Sequence, residues 1–151
     1  MRFLVVCTAN VCRSPMAEAA MHHALTARGL RPDVGSAGID ALTGEPAHPL
    51  SMQAVAQAGI GDLSLHRSRP LSPLMVRHAD LVLCMAPMHR SSVVARVPEA
   101  AGRVWLLGHW QGVAIADPVG GPADEHRQCL QLITECVDQW LDRLSRQRLL
   151  Q

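Results

Sequence analysis

The chain of 151 residues predicts an α/β protein: one domain built on a four-stranded parallel sheet with helices on both faces. Three observations carry this. Short apolar runs alternate with helical patterns, the order expected when helices form the crossovers between parallel strands. The first run, Phe3-Leu4-Val5-Val6, is unbroken by polar residues, as in a strand buried on both faces. Near the end of the chain, Leu130, Ile133, Val137, Trp140, Leu141 and Leu144 recur at helical spacing with charges opposite, which marks an amphipathic helix.

The first strand is expected over 2–7. Ser14-Pro15 opens the following helix, about 15–28, with a side-chain oxygen able to cap and a proline in the first turn, where its missing N–H costs nothing. Met16, Ala20, Ala24 and Ala27 give that helix a face of small residues that permits close packing. A second strand is expected over 33–37, and a helix over 49–58 with Leu50, Ala54, Val55 and Ala58 at helical spacing. Strands over 80–84 and 103–107 complete the sheet, and the last helix covers about 122–146 with Cys129 and Cys136 packed or at its margin. No repeat, low-complexity stretch or linker divides the chain, so a single domain spans 1–151.

Composition narrows the function. Charged residues make up 18% and the net charge is +1, which points to neither nucleic acid nor an anionic membrane. All the basic residues are Arg, a trait of genome composition rather than of function. With three Trp, one Phe and no Tyr, aromatic stacking platforms are scarce. No apolar run approaches the ~20 residues of a membrane span, and the N-terminus reads as a core strand rather than a signal peptide. Five cysteines, two of them in one loop, fit neither a zinc site nor a disulfide framework. No metal or cofactor is expected, and the reducing cytoplasm is the expected compartment.

The chemistry begins at Cys7-Thr8-Ala9-Asn10-Val11-Cys12-Arg13-Ser14-Pro15. A cysteine, five residues and an arginine between a strand and a helix make a phosphate cradle with a nucleophile in its floor. Loop amides and the positive end of a helix converge there on one point, which suits a dianion. The same field favours a reactive thiolate. Arg13 adds a bidentate grip on two phosphate oxygens. The spacing alone is weak: with 5 Cys in 151 residues and every cation an Arg, about 0.5 chance matches are expected. Indeed Cys84-Met85-Ala86-Pro87-Met88-His89-Arg90 matches too, after the strand Leu81-Val82-Leu83. Its interior is wrong, because Pro87 removes an amide and starts a helix inside the supposed loop, while Met and His fill the space. Cys84 therefore reads as a buried strand-end cysteine.

Expelling an alcohol or phenol from phosphorus needs an acid on another loop. Asp117, in Ile115-Ala116-Asp117-Pro118-Val119-Gly120-Gly121-Pro122, is the best candidate, since that loop joins the last strand to the last helix. Plain turn chemistry explains Asp-Pro and Gly-Gly-Pro equally well. Asp40, Glu45 and Asp62 have less defined settings.

These motifs, in this order at both ends of the chain, resemble the low-molecular-weight protein tyrosine phosphatases. The similarity extends through Ser36-Ala37-Gly38, Gly44-Glu45-Pro46-Ala47, His66-Arg67-Ser68-Arg69 and Leu107-Gly108-His109-Trp110. The last segment resembles bacterial members that act on exopolysaccharide tyrosine kinases. The resemblance implies a flavodoxin-like fold, no cofactor, a phosphotyrosine-bearing protein as partner and a tyrosine autokinase as the favoured one; oligomeric state stays open. It implies that Cys7 is the nucleophile, Arg13 the phosphate clamp and Asp117 the acid, with Thr8, Ala9, Asn10, Val11 and Cys12 forming the phosphate loop. It further implies that Ser14 donates its hydroxyl to Cys7 and that Asn10 holds the loop in a network with Ser36 and His66. Cys12, five positions from Cys7, either closes a reversible disulfide that protects the thiolate or fills the loop inertly.

Some residues depart from the family. Gly is usual where Ala9 stands, and a positive φ there would strain an alanine. Val119 replaces the aromatic residue common after Asp-Pro, and Leu42 stands where many members carry Trp. A phosphotyrosine ring between Leu42 and Val119 would lose ~1 kcal/mol of stacking. Two relatives on the same scaffold compete. Thioredoxin-coupled arsenate reductases need two further neighbouring cysteines, and here Cys84 has none before Cys129; Pro15 also replaces their polar residue. Protein arginine phosphatases place Thr where Val11 sits. A phosphoprotein-binding module would have no use for Asp117.

Overall fold

Phe3–Cys7 forms β1, with all five side chains buried. Side chains alternate across a strand, so Phe3, Val5 and Cys7 enter one core and Leu4 and Val6 enter another on the opposite face. β2 (Val34–Gly38) and β3 (Leu81–Cys84) flank β1, and β4 (Val104–Leu106) pairs with β3. All pairings are parallel and the order is β2-β1-β3-β4. The structure, a computed structural model, describes residues 1–150.

Helices α1 (Arg13–Ala27), α2 (Pro49–Ala58) and α5 (Ala123–Arg146) cover the first face, while α3 (Pro73–His78) and α4 (Pro87–Arg96) cover the second. The six stripe residues of α5 are all buried, with Cys136 beside them and Cys129 half-buried at the edge. Such aliphatic side chains contribute roughly 1.5–3 kcal/mol each on burial. Trp140 also donates its indole N–H to the Leu107 carbonyl at 2.9 Å, which ties the last helix to the end of β4. Among the described residues no helix is long and apolar enough to cross a membrane.

Several local expectations are corrected. Helix α1 begins at Arg13 with Cys12 at its N-cap and no side-chain cap, so Ser14 lies inside the first turn and its hydroxyl is turned elsewhere. The same Ser-Pro signal does cap at Ser72-Pro73, where Ser72 Oγ accepts from the Met75 N–H at 3.3 Å and starts the unexpected α3. Helix α4 starts at Pro87, as that proline requires, and runs on to Arg96. Ala27 and Ala58 are exposed because each sits in the final turn of its helix, beyond the packed face.

β1 is where strand order reverses: β2 lies on one side of it, β3 and β4 on the other. In open parallel sheets the crevice beyond the carboxyl ends of strands at such a switch is the place for a ligand. Cys7 is the last residue of β1.

Candidate active site

The loop from Cys7 to Arg13 has its carbonyls tied outward. Ile39 N–H donates to the Cys7 carbonyl at 3.0 Å, Asp40 N–H to that of Thr8 at 2.9 Å, His48 N–H to that of Val11 at 2.8 Å and Met16 N–H to that of Cys12 at 3.2 Å. The Asn10 carbonyl lies 2.7 Å from His66 Nε2. Among the described residues, no protein acceptor takes the amides of residues 9 to 13. The loop therefore leaves a run of unclaimed donors at the N-terminus of α1, the kind of place that suits an anion. Close approach of β2 makes this possible: a Cβ on Gly38 would sit 2.9 Å from the Asn10 nitrogen and clash harder with the Thr8 carbonyl.

Asn10 sets the loop's shape. It is fully buried and takes φ 57, the left-handed region that Asn tolerates better than most residues. Ala9 has no such φ, so the condition under which alanine would strain the loop is not met, and the left-handed residue lies one position on. Arg69 N–H donates to Asn10 Oδ1 at 3.0 Å, which fixes the amide's orientation. Asn10 Nδ2 then donates to Ser14 Oγ at 2.8 Å and Ser36 Oγ at 3.0 Å. Ser14 Oγ, which accepts from Asn10, also lies 2.9 Å from Cys7 Sγ, with its own hydrogen available to the sulfur. A chain of bonds thus runs from Arg69 through Asn10 and Ser14 to the sulfur. Glu18 lies half-buried under this network, its carboxyl pushed up by burial against the opposing pull of Ser36 and His66.

Arg13 is nearly buried. Its Nη1 donates to the Ile115 carbonyl at 3.0 Å and its Nη2 to Thr8 Oγ1 at 3.4 Å, with Asp117 Oδ2 3.6 Å from Nη2. Asp117 is half exposed, and its Oδ1 accepts from the Val119 N–H at 3.1 Å. The turn reading and the site reading of Asp117 therefore both hold: the turn aims the carboxylate at the guanidinium. Cys7, Arg13 and Asp117 are brought to one place from β1, α1 and the last loop.

Two supports are not legible in the sequence. His89 is fully buried; its Nδ1 accepts from the Ala86 N–H at 3.0 Å, so its Nε2–H donates to Thr8 Oγ1 at 2.8 Å. Burial, helped by the Arg13 charge, pulls the His89 imidazole down to about 4, so it is neutral at physiological pH. Behind the loop, Cys12 Sγ lies 2.9 Å from Ser51 Oγ, which lies 3.0 Å from His126 Nδ1. Apart from the local Ala86–His89 bond, each contact joins residues far apart in sequence, and nothing local signals it.

All five cysteines are free. Burial pushes the thiols of Cys12 and Cys136 up to about 11 and those of Cys84 and Cys129 up to about 12. These four stay protonated near neutral pH. A cleft beside the loop is lined by Ala9, Val11, Asp40, Leu42, Pro46 and His48, among others. Leu42 is 69% exposed at its rim. Val119, 51% exposed, lies outside that lining, on the turn that follows Asp117.

The comparisons agree with this geometry. A model of the low molecular weight phosphotyrosine protein phosphatase family matches residues 2–150. The probable low molecular weight protein-tyrosine-phosphatase EpsP of Ralstonia solanacearum is 40% identical over 141 residues, covering 93% of this chain and 94% of that one. Among solved structures, the YwlE arginine phosphatase with a phosphorylated active-site serine superposes at TM-score 0.91 with 31% identity, covering 98% of both chains. A low molecular weight protein tyrosine phosphatase from T. tengcongensis superposes at TM-score 0.90 with 34% identity, covering 95% of this chain and 99% of that one. From its phosphate-shaped loop to its four-stranded parallel sheet, the chain belongs to the low molecular weight phosphotyrosine protein phosphatase family.

Proposed function

We propose that this chain, acting as one domain, hydrolyses phosphotyrosine in proteins through a phosphocysteine on Cys7. The observation that carries the reading is the loop itself: five successive amides without a protein acceptor lie between the Cys7 sulfur and the Arg13 guanidinium, with Asp117 beside Arg13. The Cys7 thiolate attacks phosphorus in line, and the bond to the phenolic oxygen breaks as Asp117 delivers a proton to it. A tyrosine phenolate has a parent pKa near ~10 and leaves poorly unaided, so general-acid help is worth about 10²–10⁴-fold. Water, deprotonated by Asp117, then releases phosphate and restores the thiolate. Loop amides and Arg13 hold the three non-bridging oxygens throughout. Ser14 positions Cys7 with its hydroxyl hydrogen, and Asn10, with Ser36 and His66, holds the loop in shape.

The leaving group separates two readings, because one structural neighbour is the YwlE arginine phosphatase. Val11 favours tyrosine: an aliphatic side chain suits an aryl phosphate, whereas a phosphoguanidinium gains from the threonine hydroxyl that arginine phosphatases place there. A bacterial tyrosine autokinase of exopolysaccharide export is the partner most in keeping with Leu107-Gly108-His109-Trp110. Single-turnover release of phosphate from a phosphotyrosine peptide and from phosphoarginine tests this. We expect metal-independent release from the peptide at least tenfold faster than from phosphoarginine. Asp117→Asn should slow that release about 10²–10⁴-fold while a phosphoenzyme still forms. Preference for phosphoarginine sinks the tyrosine reading. For the rim, Val119→Tyr should lower KM for the peptide about fivefold, the equivalent of ~1 kcal/mol of stacking; an unchanged KM removes Val119 from the ring's surroundings.

A further inference from the structure

We propose that Cys12, His48 and His126 form a binding site for one divalent cation of the zinc class, behind the phosphate loop and separate from Cys7. One donor atom from each residue lies within 4.8 Å of the other two. Cys12 Sγ and His126 Nδ1 are 3.7 Å apart. That is close to the roughly 3.5 Å that two donors span at a tetrahedral zinc, with bonds of about 2.3 Å to sulfur and about 2.0 Å to nitrogen. One thiolate and two imidazoles are donors that zinc and its first-row neighbours favour.

The donors are held by the fold rather than by mobile side chains. Cys12 is the N-cap of α1, His48 is the N-cap of α2 and His126 stands in the first turn of α5. His48 Nδ1 accepts from the Leu50 N–H at 3.1 Å, which leaves its Nε2 as the free donor. The two imidazoles are stacked, with centroids 4.7 Å apart. His126 Nε2 is buried on the far side of the ring from Cys12, beside the Pro118 backbone, where a ligating imidazole usually finds its outer partner. The Ser51 hydroxyl, which bridges Cys12 and His126, either completes the coordination or turns aside for a water. Three protein donors plus one further position is a common zinc arrangement. On binding, the cation replaces the Cys12 thiol proton, which leaves to solvent; nothing is oxidised or reduced. Because Cys12 ends the phosphate loop next to Arg13, occupancy pins the loop and slows turnover.

The test uses the full chain carrying Cys7→Ser, so that the nucleophile cannot be the ligand and binding is read without catalysis. Zn²⁺ affinity is measured by competition with a chromophoric chelator, and Co²⁺ is added as a spectroscopic probe. We expect one cation per chain and a near-ultraviolet thiolate-to-cobalt band. In the same background His126→Gln and, separately, His48→Gln should weaken Zn²⁺ binding at least about tenfold, with circular dichroism reporting that each is folded. Absence of stoichiometric binding in the Cys7→Ser chain overturns the site, as does a histidine variant whose affinity is unchanged from that background. With Cys7 present, Zn²⁺ that fills the site should slow phosphate release, and His126→Gln should need at least about tenfold more; equal inhibition assigns the effect to Cys7 and overturns the link to turnover. Either failure leaves the phosphatase reading standing, because that reading is scored on phosphate release in the absence of metal.

Discussion

The chain leaves β1 and β3 with the same spacing, Cys7 to Arg13 and Cys84 to Arg90, and builds two different objects. After Cys7 five residues intervene before α1 begins at Arg13, long enough for a loop whose carbonyls are drawn outward by Ile39, Asp40 and His48. After Cys84 only Met85 and Ala86 precede α4, which Pro87 starts early. The second segment is thus wound into a helix. Its His89 turns inward, and its Arg90 donates from Nε to the Val104 carbonyl at 2.9 Å, bracing the neighbouring strand. What makes a phosphate site is the length of chain before the helix and the partners that claim its carbonyls. Cysteine and arginine spacing does not suffice.

The largest effect that could break this comparison lies in the two cysteines. Cys7→Ser should reduce steady-state phosphotyrosine hydrolysis at least about 10⁴-fold. Cys84→Ser should leave kcat within about twofold while lowering the melting temperature, since a hydroxyl is buried where a thiol packed. Comparable losses of kcat in both variants would mean that the β3 end takes part in catalysis.

Next come the arginines. Arg13 is nearly buried and its two terminal nitrogens are already aimed, by Ile115 and Thr8, toward a bidentate grip. Lysine offers one point charge and cannot fork, so Arg13→Lys should cost about 10²–10³-fold in kcat/KM. Arg90→Lys should change kcat/KM less than about twofold. A small effect at Arg13 would mean that the loop amides alone hold the phosphate.

How much of this was legible follows the same divide. The strands and the long helices could be read because their signals are local: an unbroken apolar run for β1 and a helical stripe for α5. The site's residue types could be read as well, since Cys7, Arg13 and Asp117 sit in motifs. Their roles in geometry could not. Ser14-Pro15 and Ser72-Pro73 are the same dipeptide, yet only Ser72 caps. Ser14 is diverted because Asn10 donates to it, and Asn10 is oriented by an amide of Arg69, 59 residues away. The resemblance draws attention to Ala9, where Gly is usual, yet the left-handed residue is Asn10, held there by bonds from Arg69 and to Ser36. Lone histidines such as His89 carry no pattern at all until the chain folds.

The two regions also meet, and the smallest predicted effect tests that meeting. His89 belongs to the failed cradle, but its Nε2–H holds Thr8 of the working one. Its imidazole titrates at about 4 in the folded chain, against about 6.5 in an unfolded one. The folded state therefore binds fewer protons between those values, and stability should fall as pH drops from about 6.5 toward 4. For a shift of that size the loss approaches roughly 3 kcal/mol at the lower end. His89→Gln keeps an acceptor for the Ala86 N–H and a donor for Thr8 but cannot be protonated in this range. Urea unfolding at pH 7.5 should show the variant less stable by about 0.5–1.5 kcal/mol, the worth of one weakened hydrogen bond, with kcat/KM reduced less than tenfold. Between pH 6.5 and 4 its stability should decline less steeply than that of the wild type. Parallel slopes in the two proteins would show that His89 is not the acid-sensitive tie between the β3 end and the phosphate loop.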